Sequence, residues 1–110
     1  MRIRAETAED VAAIEILTLV AFFDVAQSRH DEQAIVAALR ADAALSVSLV
    51  AEHEGYVVGH VAASPVTLSD GTTGWYALGP VSVGPGHRGQ GLGTRLVTAA
   101  LDALRAREAA

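Results

Sequence analysis

The sequence predicts an α/β domain of the α+β kind: a mixed, mostly antiparallel sheet with flanking helices, in the order strand, helix, helix, strand, strand, strand, helix. Three observations carry this. Apolar residues recur at three- and four-residue spacing towards both ends of the chain, which is the period of a helix with one buried face. Between them, Leu45 to Glu52 and Tyr56 to Ala63 are rich in β-branched and small apolar residues and are split by His53-Glu54-Gly55, a hairpin turn by composition. Finally, Trp75 to Val83 reads as a strand that passes through a glycine-rich loop, Gly84 to Gly93, into a helix from Leu92 to Arg107.

In chain order, Arg2 to Ala5 is a short first strand. Thr7-Ala8-Glu9-Asp10 follows, where the threonine suits a helix cap and the acids suit the first turn. The first helix is expected over Ala8 to Phe23, with Val11, Ile14, Leu17 and Ala21 as its core-facing stripe. After Asp31-Glu32 the same period recurs in Ile35 and Leu39, predicting a second helix over Glu32 to Arg40. Strands two and three form the hairpin already named. Ser69 to Gly74 is polar and glycine-rich, a loop delivering the chain into strand four. In the last helix Leu96, Val97, Ala100 and Leu104 make one face, and Arg95, Thr98, Asp102 and Arg105 the other. No repeat, linker or low-complexity segment interrupts this plan.

Composition narrows the function. At 110 residues with 51% hydrophobic content the chain is one ordered domain, large enough for a core without metal or disulfide staples. A net charge of -5 and the absence of lysine argue against a nucleic-acid surface, which needs clustered cations. With zero cysteines there are no thiolate nucleophiles and no cysteine-based zinc sites, and four scattered histidines do not make a metal site. Val11 to Phe23 is apolar, but it contains Glu15, follows Glu6, Glu9 and Asp10, and is shorter than the roughly 20 residues that span a bilayer. A buried helix and a cytoplasmic location without membrane partners are the expectation.

The glycine loop is where the chain declares chemistry. Glycines lack Cβ atoms, so successive N–H groups can converge on one point, and a helix beginning there adds the positive end of its dipole. The natural guest is a phosphate or diphosphate. Gly84-Pro85-Gly86-His87-Arg88-Gly89 matches G-x-G-x-x-G, yet no second parallel strand with a ribose-binding acid follows the helix, as a dinucleotide fold requires. A P-loop needs lysine, and there is none.

The remaining pattern, Arg88-Gly89-Gln90-Gly91-Leu92-Gly93, resembles the R/Q-x-x-G-x-G/A signature of the GNAT superfamily of N-acetyltransferases. Leu78-Gly79-Pro80-Val81-Ser82-Val83 resembles that superfamily's fourth strand, and Gly59 to Val66 looks like the third strand of its YhbS-like bacterial branch. The resemblance runs from Arg2 to about Arg107. It implies a GNAT-like fold and acetyl-CoA, or coenzyme A, as cosubstrate without a metal. Val81 and Val83 would offer backbone groups to pantetheine, and Arg88, Gly89, Gln90, Gly91, Leu92, Gly93 and Thr94 would hold the diphosphate. The implied reaction is attack by an amine of a small molecule or protein on the thioester, through an oxyanion that backbone donors near strand four stabilise. The resemblance also implies a domain that continues into a fifth strand, a further helix and two closing strands. The 110 residues are therefore expected to be its N-terminal portion, unless another chain, as in a homodimer, pairs with strand four.

Strand four carries no carboxylate, so a catalytic base must come from elsewhere: His60 on strand three, Glu52 at the end of strand two, or a water chain. The plainer reading of His60, between small apolar residues, is a hydrogen-bonded structural histidine; His53 and His87 read as solvated loop residues. Trp75, Tyr56 and Tyr76 read as core or rim packing, Tyr76 being the one that could line an acceptor cleft. Arg95 reads as surface. Beside the enzyme stand two further readings: a non-catalytic acyl-CoA-binding or sensing module, and a structural half-domain whose loop binds nothing.

Overall fold

Four antiparallel strands, β1 (Arg2–Ala5), β2 (Val47–His53), β3 (Tyr56–Val66) and β4 (Trp75–Val83), pair in the order β1-β2-β3-β4 in the computed structural model. It describes residues 1–22, 36, 40, 46–66, 69–72 and 74–109. Helix α1 (Val11–Phe22) follows a 3-10 turn at Ala8–Asp10, and α2 (Leu92–Ala109) closes the described chain. The strand period of two sorts the side chains to opposite faces of the sheet. Val47, Ala51, Val61 and Ala63 form a core with Leu92, Leu96, Ala100 and Leu104 of α2. On the other face Val50 packs with Ile14 of α1 and with Val36. The sheet is thus a layer between α1 and α2.

The sequence-predicted stripes fall where expected. Ile14, Leu17 and Ala21 of α1 are buried, as are Leu96, Ala100 and Leu104 of α2, whereas Val11 and Val97 are half-buried and α1 leaves Ile16, Leu19 and Val20 exposed, so it is not the buried helix expected. The expected second helix, Glu32 to Arg40, lies mostly outside the described residues; Val36 and Arg40, which are described, have helical backbone. Boundaries move by a few residues. The first helix opens as a 3-10 turn, and its start is fixed by Asp10 as much as by Thr7. The Asp10 carboxylate accepts from the Thr7 amide at 2.7 Å and takes both Arg4 guanidinium nitrogens at 2.7 and 3.1 Å. Those partners hold the nearly buried Asp10 carboxyl well below its usual range.

The β2–β3 turn is tighter than its composition suggested, because His53 still pairs with Tyr56. Glu54 (φ 53°) and Gly55 (φ 85°) alone make the corner, both in the left-handed region that two-residue hairpins require. β3 runs on past Ala63 to Val66, pairing Pro65 with Tyr76 and Val66 with Trp75. Past Ala63 only β4 flanks it among the described residues, since β2 begins with Val47 opposite Ala63, so the N–H that Pro65 lacks leaves no β2 carbonyl unpaired.

β4 lies at an edge among the described strands, and it is bulged. Val61 faces Val81 and Ala63 faces Leu78, so two steps on β3 oppose three on β4. The extra residue falls at Gly79-Pro80, where the peptide is cis and Gly79 has φ 136°. Beyond the bulge the ladder resumes with His60 opposite Ser82 and Gly59 opposite Val83.

Candidate cofactor-binding site

The site is assembled where β4 hands over to α2. The Gly84 amide donates to the Val58 carbonyl at 2.8 Å, so Gly84 points its backbone towards β3. Antiparallel strands alternate that direction residue by residue. Ser82 therefore also faces β3, while the backbone groups of Val81 and Val83 face the open edge. Their side chains pack on the α2 core.

After a 3-10 turn at Pro85–His87, Gly89 (φ 78°) and Gly91 (φ 74°) occupy the left-handed region, a conformation that other residues enter at a cost. A Cβ at either position would meet nothing within 4 Å. These glycines are needed for the turn of the chain and leave the space in front of it open. The Arg95 amide bonds the Gly91 carbonyl at 3.1 Å, the first bond of α2. Ahead of it, no protein group accepts from the amides of Gly91, Leu92, Gly93 and Thr94 among the described residues. These are the donors that a helix N-terminus leaves over.

Two contacts hold that terminus in place. A Cβ at Gly59 would come within 3.0 Å of Leu96 Cδ1 and 3.3 Å of Leu92 Cδ2, so the start of α2 lies directly on bare β3 backbone. The Arg88 guanidinium donates to the Ala21 carbonyl at 2.6 Å, tying the loop to the C-terminal turn of α1. The Arg88 side chain is thus engaged with protein, and only its main chain joins the loop's open face. Gln90 and Thr94 are exposed, Gly93 is half-buried beside Val83, and Leu92 is in the core.

The two sequence-predicted bases are not brought together. Glu52 sits at the β2 bulge and pairs with Arg4 at 3.5 Å, with β3 between it and β4. His60 is fully buried on the α1 face of the sheet, and its Nε2 lies 2.8 Å from Ser48 Oγ. Ser48 in turn donates to Glu6 Oε1, which also takes Arg40 at 2.6 Å. Burial drives the His60 pKa down to about 4, partly opposed by Glu6 and reinforced by Arg40. His60 Nδ1 and Ser82 Oγ are both buried without a hydrogen-bond partner among the described residues. Sequence reasoning found His60 but missed Glu6, Ser48, Arg40 and Ser82. The available signal was polar residues at inward strand positions, readable only once the register is known.

Other residues resolve plainly. Tyr56 and Trp75 are exposed instead of packed, at 74% and 56%, whereas Tyr76 packs against the α2 core. His87 is half-buried and meets the exposed His53 edge to face, with 5.7 Å between ring centres, so His87 is more than a solvated loop residue while His53 is solvated as expected. Arg95 is exposed, as expected. An apolar groove of about 340 Å³ lies between α1 and the start of β3, lined by Ala13, Ile16, Leu17, Val20, Tyr56 and Val57. Among the described residues no group of three or more metal-ligating side chains occurs, and no helix is long and apolar enough to cross a membrane.

Comparison with known proteins shows the family and the fold. The model of the acetyltransferase (GNAT) family matches residues 11–110. The uncharacterized N-acetyltransferase YhbS of Escherichia coli K12 is 37% identical over 107 residues, covering 94% of this chain and 60% of the relative. A GNAT family acetyltransferase from Brucella melitensis, solved with acetyl-CoA, is 48% identical with a TM-score of 0.93, over 96% of this chain and 69% of that one. YhbS from Escherichia coli, solved with CoA, is 36% identical with a TM-score of 0.82, over 94% and 55%. The chain therefore spans about three-fifths of the length of the curated relatives it matches.

Proposed function

The chain belongs to the acetyltransferase (GNAT) family, and from that premise we propose that it binds acetyl-CoA and transfers the acetyl group to an amine of a small molecule or protein. The observation that carries this is the row of donor amides from Gly91 to Thr94, without protein acceptors, behind two left-handed glycines. Acetyl-CoA supplies the activated acyl thioester.

In this reading the main chain from Arg88 to Thr94 holds the diphosphate, and the outward backbone groups of Val81 and Val83 align the pantetheine arm as an added strand would be aligned. Magnitudes support the amides over the dipole. Attraction to an exposed helix dipole contributes about 0.3–1 kcal/mol, whereas each hydrogen bond to a charged acceptor contributes roughly 1.5–3 kcal/mol. Micromolar affinity needs about 8 kcal/mol net, so several convergent amides must act together. The complexes of the Brucella melitensis and Escherichia coli relatives with acetyl-CoA and CoA support acetyl-CoA as the ligand. Of the two bases, His60 fits better than Glu52. It lies next to the cofactor strand, and Glu52 is committed to Arg4.

Titration of the full-length protein with acetyl-CoA and CoA, followed by assay of CoA release against an amine panel, tests the proposal. Saturable binding with amine-dependent CoA release is expected. Binding without release under any amine would replace the enzyme by an acyl-CoA-binding module, and absence of binding would defeat both.

A further inference from the structure

One line of polar side chains crosses the α1 face of the sheet, and the acetyl-transfer reading above gives it no part beyond naming His60. It starts at Ser82 on β4, continues through His60 on β3 and Ser48 on β2, and ends at Glu6, just past β1, where Arg40 closes it. Each member belongs to the next strand across. We propose that this line is a proton path, with Ser82 as its entry at the cofactor strand, His60 as its relay, and Glu6 as its terminus. The assignment rests on the acetyl-transfer reading only for the source of the proton.

The hydrogen bonds set the direction. A carboxylate can only accept, so the one hydroxyl proton of Ser48 goes to Glu6. Ser48 Oγ must then accept from His60, which makes Nε2 the protonated ring nitrogen and leaves Nδ1 with a free lone pair. That nitrogen is buried and unpartnered among the described residues, and so is the hydroxyl of Ser82. The two residues are direct cross-strand partners, which puts both side chains on one face with Cβ atoms about 4.5–5.5 Å apart. This link is therefore open in the resting structure, and a turn of the Ser82 hydroxyl onto Nδ1 is the step that would close it and satisfy both groups.

Burial forbids His60 from simply holding a proton, since imidazolium is disfavoured there. A relay avoids the charge. As a proton from the attacking amine arrives through the Ser82 hydroxyl, the Nδ1–H bond forms and the Nε2–H bond breaks. Its proton passes to Ser48 Oγ, and the Ser48 hydroxyl proton passes to the Glu6 carboxylate. One N–H bond of the amine is lost, one O–H bond on Glu6 is gained, and His60 is neutral before and after in its other tautomer. Among the described residues the charged groups that act on His60 are Glu6 and Arg40; the buried residues of α1, Ile14, Leu17, Thr18 and Ala21, carry no charge. In these terms Ser48, Glu6 and Arg40 are positioning and relay residues, and none of them touches the proposed acetyl-CoA site.

The first test needs no turnover. Nitrogen-15 imidazole shifts of His60 in the full-length protein at neutral pH are expected to show Nε2 protonated and Nδ1 bare. Ser48→Ala should mix the tautomers, and Ser48→Thr, which restores a hydroxyl, should restore the single form. An Nδ1-protonated ring or an imidazolium in the wild type overturns the path. The second test is kinetic. Ser48→Ala and Glu6→Gln are expected to lower kcat by about 100-fold, the lower end for proton-transfer groups, with the KM for acetyl-CoA unchanged and Ser48→Thr retaining most activity. An unchanged kcat in Ser48→Ala also overturns it. A wild type without turnover defeats acetyl transfer itself, and the tautomer still decides whether the path is laid as described.

Discussion

Lowering the pH should weaken the fold through one residue. His60 is neutral in the folded chain down to about pH 4, whereas in the unfolded chain it takes up a proton near its ordinary value of 6.5. Between those two values the unfolded state binds more protons, so stability falls as pH falls through 6.5 and the loss is complete by about pH 4. Each tenfold change in proton affinity corresponds to 1.36 kcal/mol, so the full effect is about 3 kcal/mol, of which about 2 kcal/mol has gone by about pH 5. Urea unfolding of the full-length protein at about pH 7.5 and 5, compared with His60→Gln, isolates the term because the other three histidines are common to both. The wild type should lose about 2 kcal/mol more than the variant over that interval. Equal losses in the two proteins would refute the reasoning, as would an imidazole titration that places wild-type His60 near 6.5.

Four further perturbations separate the parts of the structure. Gly91→Asp places a carboxylate against the donor amides and strains a φ of 74°; acetyl-CoA affinity should fall by roughly 100-fold, about the worth of one charged hydrogen bond, as calorimetry would read. Gly59→Ala forces a methyl group to within 3.0 Å of Leu96 and should destabilise the protein by about 1–3 kcal/mol in urea unfolding while shifting the start of α2. Arg88→Gln removes the charged bond to the α1 terminus and should cost about 1–2 kcal/mol of stability, with a smaller effect on acetyl-CoA binding than Gly91→Asp. The depressed Asp10 pKa supports the fold above its unfolded value of 3.8 and loses that support as the pH falls through it. Asp10→Asn should therefore show a flatter acid limb in thermal melts below about pH 4.

Much of this architecture can be read from local pattern. Ile14, Leu17 and Ala21 announce the buried face of α1 by spacing alone, and Leu96, Ala100 and Leu104 do the same for α2. The glycine loop is legible because its chemistry is local: left-handed residues and a helix start follow one another within ten positions. What escapes is whatever depends on register. Ser48, His60 and Ser82 look like incidental polar residues in apolar strands until pairing brings them to one face, and Glu6 joins them only because its amide extends the ladder to the Ser48 carbonyl at 3.0 Å. The β4 bulge is equally hidden, since Gly79-Pro80 alone does not reveal which residues it will face across β3. The exposure of Tyr56 and Trp75, the first residues of β3 and β4, is likewise not legible from composition, because an aromatic residue suits a core and a rim position alike.

The most direct test follows the backbone amides of Gly91, Leu92, Gly93 and Thr94 by NMR while the full-length protein is titrated with coenzyme A and, separately, with pantetheine, which has no diphosphate. Large shifts of those four signals with coenzyme A, absent with pantetheine, are the expected result. Signals that stay in place at saturating coenzyme A would contradict the cradle.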